Sequence, residues 1–176
     1  MFKNQNTISK SIEFSGIGLH SGEKVNIILK PAPIDSGVRF LINKNFIQAL
    51  WKNAIVSQLC TKIKIKKNSI STIEHLMAAI SGLGITNIII KINSVEVPIL
   101  DGSSKEFVEQ IKYSGILDQK KTQKILKIKK KVEYKNGDKY ICISPSKSKN
   151  LKIDYTINYQ DQLIKHYHFC GIAYLG

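Results

Sequence analysis

The chain has 176 residues, 43% of them hydrophobic and 23% charged, a balance that suits one full domain or two small ones and excludes wholesale disorder. Eleven glycines, four prolines and three cysteines exclude a collagen-like repeat and a disulfide scaffold. The formal net charge is +14, yet Arg39 is the only arginine among the 27 basic residues, so the surplus is read as a solvated lysine face and not as a nucleic-acid site, which favours the bidentate guanidinium.

In chain order, the first third is a series of short strands parted by turns: Thr7 to Phe14, the glycine-rich Gly16-Ile17-Gly18-Leu19-His20-Ser21-Gly22, Lys24 to Leu29 ending at Pro31 and Pro33, and Val38 to Ile42. The alternation Lys62-Ile63-Lys64-Ile65-Lys66 predicts a half-buried strand paired with the one before it. From Ser71 the period becomes helical, with Ile73, Leu76, Met77, Ile80 and Leu83 on one stripe and Gly82 and Gly84 ending it. Ile85 to Ile92 predicts a strand buried on both faces, and Val95 to Leu100 a short strand stopped by Asp101-Gly102-Ser103. Ser103 and Glu106 fit a capping box for a second helix carrying Phe107, Val108 and Ile111 inward and closing at Gly115.

The polar stretch 118–124 is expected to be a linker between a first α+β domain, residues 1–117, and a second region, residues 125–176. In that region Ile125 to Tyr134, a turn at Asn136-Gly137-Asp138, Lys139 to Ser144 and Leu151 to Tyr159 predict a hairpin plus a third strand with no helix to cover them, an incomplete domain. The longest apolar run, near Ile85 to Ile92, is interrupted by Asn87 and Lys91 and falls short of the ~20 residues of a bilayer span. The N-terminus lacks a signal-peptide pattern, and Cys60, Cys142 and Cys170 form no C-x-x-C pair; a cytoplasmic location is expected.

Chemistry concentrates in Ser71-Thr72-Ile73-Glu74-His75-Leu76-Met77. At 100° per residue Glu74 and His75 leave the apolar stripe and share a face with Ala78 and Gly82, small residues that let another surface or a ligand approach. Ser71 and Glu74 also fit the capping pattern S-x-x-E, with His75 as a solvated first-turn residue. Pattern alone leaves both readings open. Asp101 is read as a turn and helix-start residue.

Gly16 to Gly22, Leu59-Cys60-Thr61, Ser71 to Ala79, Gly84-Ile85-Thr86-Asn87-Ile88 and Val95 to Ser104 resemble, in order and spacing, the UDP-3-O-acyl-N-acetylglucosamine deacetylases of lipid A biosynthesis, over about residues 1 to 165. The resemblance implies a zinc-dependent amide hydrolase built from two-layer β-α-α-β domains, sheets outside and helices together with the site between them. It implies His75 as first Zn2+ ligand and Glu74 as the general base acting on the zinc-bound water. Leu19, His20, Cys60 and Thr61 would line the substrate site. It implies UDP-3-O-acyl-N-acetylglucosamine as substrate, closeness to a membrane only through the acyl chain, and a monomer.

The family's remaining zinc ligands lie in an H-K-x-x-D motif, and no His here precedes a Lys. His166, His168 and Cys170 have spacings that could rebuild a metal site, but nothing in the sequence places them against His75. The expectation is a truncated form, inactive alone. Two competing readings are a basic module binding RNA or another polyanion, with Glu74 and His75 dispensable, and a decayed remnant without activity.

Overall fold

The computed structural model describes residues 4–147, 151–158 and 166–173. They form two compact units, Met1–Gln123 and Lys124–Gly176. The class is α+β, as expected from the switch between period 2 and period 3.6.

In the first unit, β1 (Asn4–Ile8) pairs antiparallel with β10 (Ile116–Thr122) as a two-stranded ribbon. A five-stranded sheet runs in the order β2-β3-β9-β4-β5, built from β2 (Ile12–Ile17), β3 (Lys24–Pro31), β4 (Val38–Ile42), β5 (Asn45–Gln48) and β9 (Ile88–Ile92). Its alternation is that of a sheet with one covered face: Val25, Ile27 and Leu29 of β3 and Ile88, Ile90 and Ile92 of β9 are buried, whereas Lys24, Asn26, Lys30 and Lys91 are exposed. The pair β4–β9 is parallel, which requires a long crossover. That crossover contains a three-stranded sheet, β6 (Ala54–Ile55), β7 (Lys62–Ile65) and β8 (Asn68–Ile70), and helix α1 (Glu74–Gly82). A single 3-10 turn, Trp51–Asn53, precedes β6.

Helix α1 buries Leu76, Ala79 and Ile80 and ends where Gly84 takes a φ of +69°, a left-handed value cheap for glycine. Helix α2 (Lys105–Ser114) buries Phe107 and Ile111. Phe107 meets Phe14 of β2 at a ring-centroid distance of 5.0 Å and an interplanar angle of 58°, a tilted contact. Both helices contribute to one continuous core with the sheet. The β1–β10 ribbon is tied in by Asn87, 1% exposed. Its amide donates to Gln5 and Gln119 at 2.8 and 2.7 Å, and its oxygen accepts from the Gly37 N–H at 2.8 Å.

Several local expectations are corrected. The strand expected over 7–14 is two strands, β1 and β2, parted at 9–11, where the Ser9 N–H bonds the Gly115 carbonyl. The Lys62–Ile65 strand pairs with the short β6 and with β8, while β4 lies in the larger sheet. Strand β9 starts at Ile88 and exposes Lys91, so one of its faces is not buried. The strand expected over 95–100 reduces to a single parallel bridge between Ser71 and Glu96. The capping box at α2 does not form. Ser104 is the N-cap, and Ser103 gives its N–H and hydroxyl to the Asp101 carboxylate while its oxygen accepts the Lys105 N–H. Residues 118–122 of the lysine-rich stretch belong to β10, because β1 offers them a free edge to pair with.

In the second unit, β11 (Val132–Asn136) and β12 (Lys139–Ile143) form a hairpin closed through Gly137, whose φ is +62°. The strand predicted from Ile125 begins only at Val132. The Leu151–Asn158 strand, β13, does not join that hairpin; it pairs antiparallel with β14 (His166–Ala173), a strand not foreseen in the tail. Val132, Tyr134, Tyr140 and Ile141 are exposed by half or more. No helix lies among the described residues of this unit.

Candidate active site

Helix α1 opens on the two residues singled out in the sequence. Glu74 is its first residue and His75 its second, both half-buried, on the side away from Leu76 and Ile80. The capping reading of Glu74 is overturned: Ile73 is the N-cap, and Ser71 gives its N–H and hydroxyl to the Val95 carbonyl. Glu74 Oε2 instead accepts the backbone N–H of Thr61 at 3.0 Å, and the Ile73 N–H reaches the Thr61 carbonyl. The segment before β7 is therefore latched to the first turn of α1. Among the described residues no protein group hydrogen-bonds Glu74 Oε1 or the His75 ring.

A cleft of about 450 Å3 lies beside this latch, lined by His20, Ser57, Leu59, Cys60, Lys62 and Ser71 among others. His20 and Cys60 are thus brought to one cavity. Cys60 Sγ lies 3.2 Å from Ser57 Oγ. Thr61 touches Glu74 through its backbone, and Leu19 stands 58% exposed next to His20. Neither Glu74 nor His75 lines the cleft itself.

Glu96 is the residue that sequence reasoning passed over. It is 1% exposed. Its carboxylate accepts the His20 N–H at 3.0 Å, the Ser21 N–H at 2.9 Å and the Thr72 hydroxyl at 2.8 Å. Burial pushes its carboxyl up, but the hydrogen bonds from His20, Ser21 and Thr72 outweigh that and bring it down to about 2, so it is ionised at neutral pH. A signal was available: an acidic residue between Val95 and Val97, in an apolar stretch, requires partners to be buried.

Asp101 holds the turn before α2 through Ser103, whose hydrogen bonds lower its carboxyl, and forms no hydrogen bond with the cleft residues above. His168 pairs with Asp154 at 2.9 Å across β13–β14; the His166 side chain lies outside what is described. Among the described residues no group of three or more His, Cys, Asp or Glu side chains is placed to hold a metal ion. One imidazole and one carboxylate do not define the geometry a catalytic zinc needs, three protein ligands and an open position. The described residues therefore do not by themselves fit the ion.

Among the described residues, no helix is long and apolar enough to cross a membrane. A family model described as LpxC, UDP-3-O-acyl N-acetylglycosamine deacetylase, matches residues 5–172, further into the tail than the 165 residues legible by motif. The chain is 40% identical over 163 residues to a protein of Campylobacter fetus subsp. fetus (strain 82-40), covering 91% of this chain and 54% of that one. It is 41% identical over 169 residues to a protein of a Nitratiruptor species, covering 94% and 56%. It is 37% identical over 164 residues to one of Xanthomonas oryzae pv. oryzae (strain PXO99A), covering 91% and 54%. Each carries the name UDP-3-O-acyl-N-acetylglucosamine deacetylase. The chain spans about half the length of these curated relatives.

Proposed function

The chain belongs to the UDP-3-O-acyl N-acetylglycosamine deacetylase family, and from that premise we propose that its first unit carries part of the machinery for hydrolysing the N-acetyl group of UDP-3-O-acyl-N-acetylglucosamine in lipid A synthesis. The products are acetate and the free amine. The observation that carries this reading is the first turn of α1, where Glu74 is held through Oε2 by the Thr61 N–H beside the cleft and keeps Oε1 clear of protein donors.

Glu74 is the base: it takes a proton from the attacking water as the new C–O bond forms at the acetamide carbonyl, and that proton can pass to the departing nitrogen as the C–N bond breaks. His75, beside Glu74 in the first turn, would be a ligand for Zn2+, the ion implied by the family, which when bound would polarise a carbonyl. Leu19, His20, Cys60 and Thr61 line the substrate site near the metal on this reading. On this reading the first unit carries the base and the first ligand, the remaining metal ligands lie outside the described residues, and the chain is monomeric, cytoplasmic and without turnover of its own. The two-layer β-α-α-β arrangement belongs to the same proposal, with support from the packing of α1 and α2 into one core with the sheet.

The test is to mix the full chain with UDP-3-O-acyl-N-acetylglucosamine and Zn2+, following acetate release and backbone amide signals. Substrate should shift the signals of His20, Thr61 and His75 with no acetate formed. No shift at these positions would sink the substrate assignment. Chelator-sensitive acetate release that disappears in Glu74→Gln would instead show that the chain completes its own metal site.

A further inference from the structure

We propose that Glu96 is a positioning residue of this site: its buried carboxylate holds the loop that carries His20 in register with the turn that starts α1, and so fixes two walls of the cleft at once. The proposal rests on the deacetylase reading and says what sets the geometry of that site.

The carboxylate receives its donors from two separate segments, His20 and Ser21 on one side and Thr72 on the other. Among the described residues no Lys, Arg or His forms an ion pair with it, so these donors are what balances its charge. Only an acceptor without hydrogens of its own suits such a set, since an amide in its place would turn N–H groups against N–H groups.

The loop is shaped to this carboxylate. A Cβ on Gly18 would stand 2.5 Å from Glu96 Oε2 and 2.2 Å from Ser21 Oγ, so glycine is required for the loop to close over it. The loop is further tied by the Gly22 N–H to the Gly18 carbonyl and the Gly18 N–H to the Glu23 carbonyl, each at 2.9 Å.

On the other side, Thr72 has a φ of +57°. A β-branched residue in the left-handed region is strained and persists only where its surroundings over-determine it. The Thr72 hydroxyl is spent on Glu96. Thr72 lies between Ser71, which lines the cleft along with His20, and the Ile73-Glu74-His75 turn. Moving the carboxylate therefore moves His20 and the start of α1 relative to each other. A residue serving only the general core would couple to the sheet and helices alike, whereas the Glu96 carboxylate bonds loop and turn residues alone.

The test uses amide hydrogen exchange and amide chemical shifts of the full chain and its variants. In Glu96→Gln, exchange at His20 and Ser21 should accelerate by about tenfold or more relative to Ile27 and Ile90, which open only with the whole core. The signals of Thr72 through His75 should shift, and substrate-induced shifts at His20 should shrink. Thr72→Ser, which keeps the hydroxyl, should match the wild type, while the isosteric Thr72→Val should reproduce the Glu96→Gln pattern. Unchanged His20 and Ser21 amides in Glu96→Gln would overturn the proposal, as would loss of protection spread evenly over β3, β9 and both helices. Should Glu96→Gln not fold, the Thr72 pair and Gly18→Ala give the same readout, and identical behaviour of Thr72→Ser and Thr72→Val would then overturn it. If substrate shifts nothing in the wild type, the deacetylase reading fails by itself, and the exchange pattern still decides the role of Glu96.

Discussion

The strands of the two units use the same residue types and end in different environments. In β3 and β9, Val25, Ile27, Leu29, Ile88 and Ile90 are fully buried. In β11 and β12, Val132, Tyr134, Tyr140, Ile141 and Ile143 remain exposed by half or more although the hairpin is fully paired. Strand propensity and ladder hydrogen bonds build a ribbon in either case. Burial needs a second layer, and in the first unit that layer comes from α1 and α2, whose apolar stripes supply Leu76, Ile80, Phe107 and Ile111. The candidate site follows the same division, since it lies where the covering helix α1 begins.

The largest effect that would test this contrast is expected at Phe107. It is fully buried and packs on Phe14, so Phe107→Ala should cost about 3–5 kcal/mol. Chemical denaturation monitored by circular dichroism, with hydrogen exchange to locate the loss, should show the first unit unfolding earlier. A cost below about 1 kcal/mol would mean that α2 is not the cover the packing implies.

Acid provides the next test. Glu96 titrates at about 2 in the folded chain against its ordinary value of 4.5. A carboxyl lowered by folding stabilises the fold above its unfolded value and loses that contribution as pH falls through its folded one. Between pH 4.5 and about 2 the first unit should therefore lose roughly 3 kcal/mol from this residue. Denaturation midpoints measured across this window should fall steeply in the wild type and more shallowly in Glu96→Gln. Equal slopes would remove Glu96 from the account. Asp154 of β13 is also lowered, by the hydrogen bond from His168, but it is exposed, and its pair should respond weakly and fade with salt.

A smaller effect belongs to Asn87. Replacing it by Ala takes one hydrogen-bond partner each from the buried Gln5, whose Oε1 keeps the Asp35 N–H, and from the half-buried Gln119 and Gly37, a loss of about 1–3 kcal/mol. The β1–β10 ribbon should open first, seen as faster exchange of the Thr7 and Leu117 amides, which face each other across it.

These residues also show what was legible beforehand. Periodicity located both helices to within a few residues, because Leu76, Ile80, Phe107 and Ile111 obey a 3.6 spacing that burial then enforces. It failed where pairing depends on distant chain. Residues 118–122 read as a polar connector because their contribution to β10 is backbone hydrogen bonding to β1, which polarity does not reveal. β14 was missed for the same reason, its partner β13 lying beyond a polar stretch. At the site, Glu74 and His75 stood out by pattern, yet the S-x-x-E capping rule pointed Glu74 at Ser71 when tertiary structure gives it to Thr61. Glu96 carried only the signal of an acid in an apolar stretch, which does not name its partners, because His20, Ser21 and Thr72 lie more than twenty residues away on the chain.

The smallest expected effect is the sharpest on the second unit. Ile141 is 67% exposed and pairs across β11–β12 with Tyr134. If its face stays uncovered in solution, Ile141→Ala removes little buried area and only a cross-strand contact, so stability should change by less than about 0.5 kcal/mol. A loss of about 2 kcal/mol or more would require the side chain to be packed against something. Repeating the measurement over a wide range of protein concentration identifies what covers it. A concentration-dependent loss points to a second copy, because association stabilises by mass action. A concentration-independent loss means that the same chain folds back over the hairpin, and the contrast between a covered and an uncovered unit would then collapse.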